Sequence, residues 1–262
     1  MAAITALQLI NRILEKSGAG NRPQTIDHVS AGDPTTTVTG VATMAIASLE
    51  CLKQAAAAGR NLVLTYDPAF WSGNDSFDRL EDNGLFLEKR DFIRAHNLVC
   101  FNLHDHWRDR MPDGMVTGMA AGLGWAQYQR GPLAFQLPST TLLELARDLQ
   151  TRLNDPTLRV VGDPRLAVRN VAALWGNGAQ MPAIQLLNTD IDVLITGYAR
   201  EWEAVEYAQD MIATGQKKAL ILLGEAASID LGMKYCAEWV ATFVPEVPVE
   251  FIPSHLPYWG VS

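Results

Sequence analysis

Cysteine is scarce in this 262-residue chain: Cys51, Cys100 and Cys236 stand far apart, and no CxxC pair occurs. An odd, scattered set of thiols excludes a disulfide framework and a zinc knuckle, and points to a reducing compartment. Positive charge is also in deficit, with 21 Lys and Arg against 29 Asp and Glu for a net charge of −8. That balance gives no electrostatic footprint for nucleic acid or an anionic membrane. No apolar run approaches the roughly 18 residues of a membrane span. The opening stretch ITALQLINRILEKSG lacks the basic start and apolar core of a signal peptide, and reads as an amphipathic helix. The expected location is therefore the cytoplasm. Three familiar signatures are missing as well: a GxxxxGK[ST] phosphate loop, a GxSxG elbow and a GxGxxG after a strand. Gly176-Asn177-Gly178 follows a strand, but a lone GxG is weak evidence for phosphate binding.

What is present is a regular βα alternation. Val38–Met44 reads as a strand, ASLECLKQAAAAG as a helix capped by Gly59, and Asn61–Thr65 as the next strand. LEKRDFIRAH continues as a helix, Leu98–Leu103 as a third strand, and Gly114–Trp125 as a close-packed helix. GPLAFQLPS, with two prolines, reads as a join. TLLELARDLQTRL then opens on Thr141 and Glu144 at capping-box spacing. RVVG, VAALWG, DVLITG and KALILLGE read as strands, with helices from Ala199 and from about Ile229. VPVEFIP, bracketed by prolines, suits an edge strand. The expectation is an α/β protein of two lobes, residues 1–131 and 132–262.

Chemistry-bearing residues follow several of these strands. NLVLT runs into Tyr66 and Asp67, and LVCFNL into His104, Asp105 and His106. DVLITG runs into Tyr198, with Glu201 and Glu203 behind it, and LILLG into Glu225. Ligands of open α/β sheets bind outside the carboxyl ends of strands, where these turns converge. If strand geometry persists, His104 and His106 share a face with Asp105 opposite, and i, i+2 imidazoles can share a metal. The competing reading is a polar turn over a packed Trp107. For Asp67 it is an Asp-Pro turn, for Glu201 and Glu203 a favourable first-turn charge, and for Glu225 a solvated strand end. H-x-H also follows the first strand of metal-dependent amidohydrolase barrels. Here earlier strands precede it, and no later strand ends in histidine.

In order, the segments TIDHVSAGDPTTTVTGVATM, GRNLVLTYDPAFW, LHDHWRDRMPDGMVTGMAAGLGW, DVLITGYAREWEAVEYAQDM and KKALILLGEAASIDLGMKYCAEWV resemble the NIF-three-like family. These proteins are also called GTP cyclohydrolase I type 2 homologues, and the resemblance spans nearly the whole chain. It implies two α/β lobes facing each other across a metal-binding cleft, a toroidal homo-hexamer, and two divalent ions serving hydrolase-type chemistry. By that resemblance the metal ligands are Asp67, His104, His106 and Glu225. His104 or Asp105 would orient or deprotonate the attacking water, and Tyr66, Arg108, Tyr198 and Glu201 would lie around them.

The chain departs from the family at several of these positions. Tyr66-Asp67-Pro68 stands where relatives have His-His-Pro or His-Glu-Pro, and Arg108 where a later ligand is expected. Glu225 replaces a histidine, Ile229 replaces a glutamate, and Tyr198 stands where acidic residues are common. The remaining donor set suits a single Mn²⁺, Fe²⁺, Mg²⁺ or Zn²⁺, or no metal. Two functions follow as expectations: a metal-assisted hydrolase with a redrawn site, or a non-catalytic oligomeric binding or regulatory scaffold.

Overall fold

The computed structural model describes residues 3–20, 22–71, 80, 82–177 and 180–259. It divides into two compact units, the first formed by Met1–Gly118 with Gly232–His255, the second by Met119–Leu231 with Leu256–Ser262.

The first unit holds a five-stranded sheet. Helix α1 (Ala6–Ser17) starts at Thr5, whose hydroxyl and Gln8 form a reciprocal capping box, and ends at Gly18 in the left-handed conformation. Strands β1 (His28–Ala31), β2 (Val41–Met44), β3 (Leu62–Thr65) and β4 (Val99–Asn102) follow, with helices α2 (Leu49–Ala57) and α3 (Gly84–Ala95) as crossovers. The short helix α4 (Asp105–Asp109) and helix α5 (Gly114–Gly122) come next in sequence. The unit is completed by α9 (Asp230–Ala241) and β10 (Val249–Phe251). The sheet order is β1-β4-β3-β2-β10, parallel except for β1. Every residue of β2, β3 and β4 is buried, as expected where a parallel sheet is covered on both faces. Thr43 is fully buried, and its hydroxyl donates to the Met233 carbonyl of α9 at 2.7 Å. Among the described residues β10 lies at the sheet edge beside β2, as its flanking prolines suggest.

The second unit holds a second five-stranded sheet, ordered β5-β7-β8-β9-β6. Its strands are β5 (Ala134–Thr141), β6 (Arg159–Val161), β7 (Ala167–Asn177), β8 (Val193–Tyr198) and β9 (Ala219–Leu222). Helices α6 (Leu142–Leu153), α7 (Gln180–Leu187) and α8 (Glu206–Ala213) complete it. β7, β8 and β9 are parallel, while β5 and β6 run antiparallel on the two edges. The stretch expected as a join is therefore strand β5. Pro138 sits where the β5–β7 register shifts, between Gln136 and Thr140, so its missing N–H breaks no regular ladder bond. The alternating burial of Phe135 and Leu137 supplies the strand signal that the prolines mask. The helix expected from Ala199 begins as a π-helical segment, Glu201–Val205, and becomes α-helical only in α8. Among the described residues no helix is long and apolar enough to cross a membrane.

Candidate functional site

In the first unit the chemistry gathers at the carboxyl ends of β3 and β4. Beyond β3, Tyr66 N donates to the Met44 carbonyl at 3.3 Å and Asp67 N to the Ala45 carbonyl at 3.1 Å. The parallel ladder thus extends past the strand and fixes the exit of Tyr-Asp-Pro. Leu103 N likewise donates to the Thr65 carbonyl at 2.7 Å, and the chain then turns directly into α4. This turn overturns the strand geometry expected for His104 and His106. Residues two apart in a helical turn do not face the same way.

Helix α4 has no cap from its own His104 side chain; a carboxylate distant in sequence does the work. Asp27 Oδ1 accepts the N–H groups of His104 at 2.8 Å and Asp105 at 2.7 Å. Asp27 Oδ2 accepts the N–H of His106 at 2.9 Å and the His106 Nδ1–H at 2.7 Å. The Asp27 side chain is 1% exposed, so this is a buried, fully used anion at a helix N-terminus. Because an ionised carboxylate can only accept, the proton of His106 is assigned to Nδ1 and Nε2 is left as the other ring atom. Sequence reading missed Asp27 because its partners lie 77 to 79 positions away and no local spacing announces them.

His104 is braced by different groups. Its Nδ1 lies 3.1 Å from Asp105 Oδ1, and its ring lies 4.3 Å from that of Tyr66. Asp105 Oδ2 accepts the Ile26 N–H at 3.0 Å, and Arg22 stands 3.4 Å from Oδ1. Burial acts to raise the Asp105 pKa, but the Ile26 N–H, the His104 ring, the Thr25 hydroxyl and Arg22 outweigh it. The carboxyl therefore stays below its ordinary range. Arg108 points its Nε at Asp113, 3.3 Å away. Trp107 is fully buried, between Tyr235 and Trp239 of α9, and anchors the turn.

The other predicted residues belong to the second unit. Glu225 follows Gly224, which has φ +79°; it is half-buried, and burial pushes its carboxyl pKa up. Tyr198 is exposed, and the Glu201 carboxylate, almost fully exposed, lies 3.6 Å from Arg159. Glu203 has non-helical backbone angles of φ −112° and ψ −111°, which kink the segment, and its mostly buried carboxylate pairs with Arg200 at 3.1 Å. Ile229 is completely buried in the core and offers no donor. Of the lone GxG, Gly178 lies outside the described residues.

Ser228 knots the strand ends of this unit. Its Oγ accepts the Gly176 N–H at 3.0 Å and donates to the Glu225 carbonyl at 2.7 Å. A Cβ on Gly197 would stand 2.3 Å from that Oγ and 2.6 Å from the Gly176 carbonyl, so only glycine fits.

The residues present do not fit a two-ion centre. Both Asp105 oxygens face protein donors or a cation, Ile229 is core, and Arg108 turns to Asp113. Among the described residues no three His, Cys, Asp or Glu side chains gather so that they could hold a metal ion.

Fold and strand ends together define an α/β protein of two sheet-containing units whose polar residues collect after the strands. The Duf34/NIF3 (NGG1p interacting factor 3) family model matches residues 6–252, and the chain belongs to that family. Solved structures share the fold at low identity. A Staphylococcus aureus protein, SA1388, has TM-score 0.73 and 19% identity, over 98% of this chain and 99% of that one. A Bacillus cereus protein related to NIF3 has TM-score 0.78 and 13% identity, over 100% of both chains. Reduced HcgD from Methanocaldococcus jannaschii has TM-score 0.68 and 14% identity, over 95% of this chain and 98% of that one. No functionally curated protein matches the chain significantly.

Proposed function

We propose that this chain is a ligand-binding, self-assembling member of the NIF3 family that does not run a two-metal hydrolysis. The observation carrying this reading is the closed hydrogen-bond network of α4. Asp27 and Asp105 each hold one imidazole through Nδ1, and among the described residues no three His, Cys, Asp or Glu side chains gather so that they could hold a metal ion. Tyr66 against His104 and Arg108 on Asp113 are consistent with a strand end kept for structure. Family likeness supports homo-oligomerisation, with a hexamer as the expected assembly. The three buried cysteines, none in a disulfide, and the net charge of −8 suit a cytoplasmic protein that binds neither nucleic acid nor membrane. The test is turnover of nucleotide and phosphoester substrates with added Mn²⁺ or Zn²⁺. The expected result is no activity above background; turnover abolished by His106→Ala would refute the reading.

A second reading is favoured by one feature of the same network. Carboxylate-held Nδ1 atoms orient Nε2, the arrangement that commonly braces metal-ligating histidines. On this reading Asp67, His104, His106 and Glu225 contribute donors to one divalent ion. Such an ion acts as a Lewis acid and lowers the pKa of bound water. Metal content of the purified protein separates the two readings: about one ion per chain supports this one, and less than about one-tenth supports the first.

A further inference from the structure

The first unit contains a half-open cavity of about 500 Å³ that nothing in the strand-end site uses. It lies at the amino-terminal end of β4, whereas His104 and His106 follow its carboxyl end. One wall is the end of β1 and the loop that follows it, Ser30 to Asp33. That loop lies against β4 because Gly32, at φ +90°, has no Cβ; one would stand within 2.1 Å of the Leu98 carbonyl. The facing wall is one stripe of α3: Phe86, Arg90, Ile93 and Arg94, spaced three and four apart and so on one helical face. Phe70 and Leu98 close the floor, and both are buried.

The charges on this apolar pocket are asymmetric. Arg90 and Arg94 stand one turn apart at the wall. Arg90 is forked onto the neighbouring Asp91, at 3.0 and 3.2 Å. Among the described residues Arg94 has no ion-pair partner. Among the described residues Asp33 is the one acid of the lining, and its Oδ1 is occupied by the Thr35 N–H and hydroxyl at 2.8 and 2.7 Å. Arg94 has an ordinary structural use, as a cation in the last turn of α3. That use accounts for its charge but not for an aromatic and aliphatic cavity beside it. A concave apolar site with a few convergent polar groups, in the range of 300–1,000 Å³, is the common form of a small-molecule pocket.

We infer that this cavity binds a small amphipathic carboxylate, with its apolar body against Phe70, Phe86 and Ile93 and its anionic head on Arg94. The inference stands independently of what the strand-end site does. Isothermal titration of the full chain with octanoate and phenylacetate tests it, with 1-octanol as the neutral comparison. Arg94→Gln removes the charge at a surface position, and Arg165→Gln, in the second unit, serves as the control. The expected result is saturable binding of at least one acid with one site per chain. Arg94→Gln should weaken it at least about tenfold, and Arg165→Gln should leave it unchanged. The inference is overturned if neither acid binds saturably or if octanol binds as tightly as octanoate. It is overturned equally if Arg94→Gln binds like the parent or Arg165→Gln loses as much as Arg94→Gln.

Discussion

The Asp27 carboxylate accepts three backbone N–H groups and one imidazole N–H, all within 2.9 Å, while its side chain is 1% exposed. Replacing it with asparagine turns one acceptor oxygen into an NH₂ group that must face donors. Asp27→Asn is therefore expected to lower stability by about 1–3 kcal/mol, seen as a Tm several degrees below the parent. An unchanged Tm would remove Asp27 from its capping role. Asp113 gives a test with a pH sign. Burial raises its pKa, and the Arg108 charge and the Val116 and Met115 N–H groups only partly offset that. Between the unfolded value and the raised native value the native state binds more protons, so this group's contribution to stability falls as pH rises. The Tm of Asp113→Asn should accordingly improve relative to the parent as pH rises from acid toward neutral. A flat or opposite difference across that range argues against a buried, proton-favouring Asp113.

Among the elements, the parallel core of each sheet was legible because buried strands are continuous apolar runs, as in LVLT and ALIL. Helix α6 was legible at its first residue, since Thr141 and Glu144 cap it reciprocally. Strand β5 was not, because a proline at a register shift looks like a break in sequence and is tolerated on an edge. β1 was missed because all four residues are only half-buried and show no period. The turn of α4 was missed for another reason: its cap comes from Asp27, and a contact made across 77 or more positions leaves no local trace. The strand ends of the second sheet offer a direct packing test. Gly197→Ala forces a methyl against the Gly176 carbonyl and Ser228 Oγ, and should cost about 1–3 kcal/mol in urea unfolding. Gly20→Ala meets nothing within 4 Å and should stay within about 0.5 kcal/mol of the parent. Equal stabilities for the two variants would show that the strand ends are loosely packed.

For the whole molecule, the family and its α/β fold were readable from ordered motifs, while the state of the site was readable only as departures. Tyr66 and Arg108 are plain in the sequence, but their consequences needed the fold: one ring leans on His104 and the other side chain turns to Asp113. His104 and His106 looked like a pair because a strand was expected to continue, and the helical turn separates their partners. At this scale the family likeness also predicts a single oligomeric species, near the six-chain mass by light scattering; a monomer would contradict that expectation. The central claim, that this chain lacks a two-ion centre, is tested most directly by metal analysis. Protein would be purified without chelator or metal-affinity tag, reloaded with Mn²⁺ or Zn²⁺ and desalted. Less than about one-tenth of an ion per chain is predicted. Two tightly held ions per chain, lost in His106→Ala, would contradict it, and a single ion would favour the reading in which Asp67, His104, His106 and Glu225 share one divalent ion.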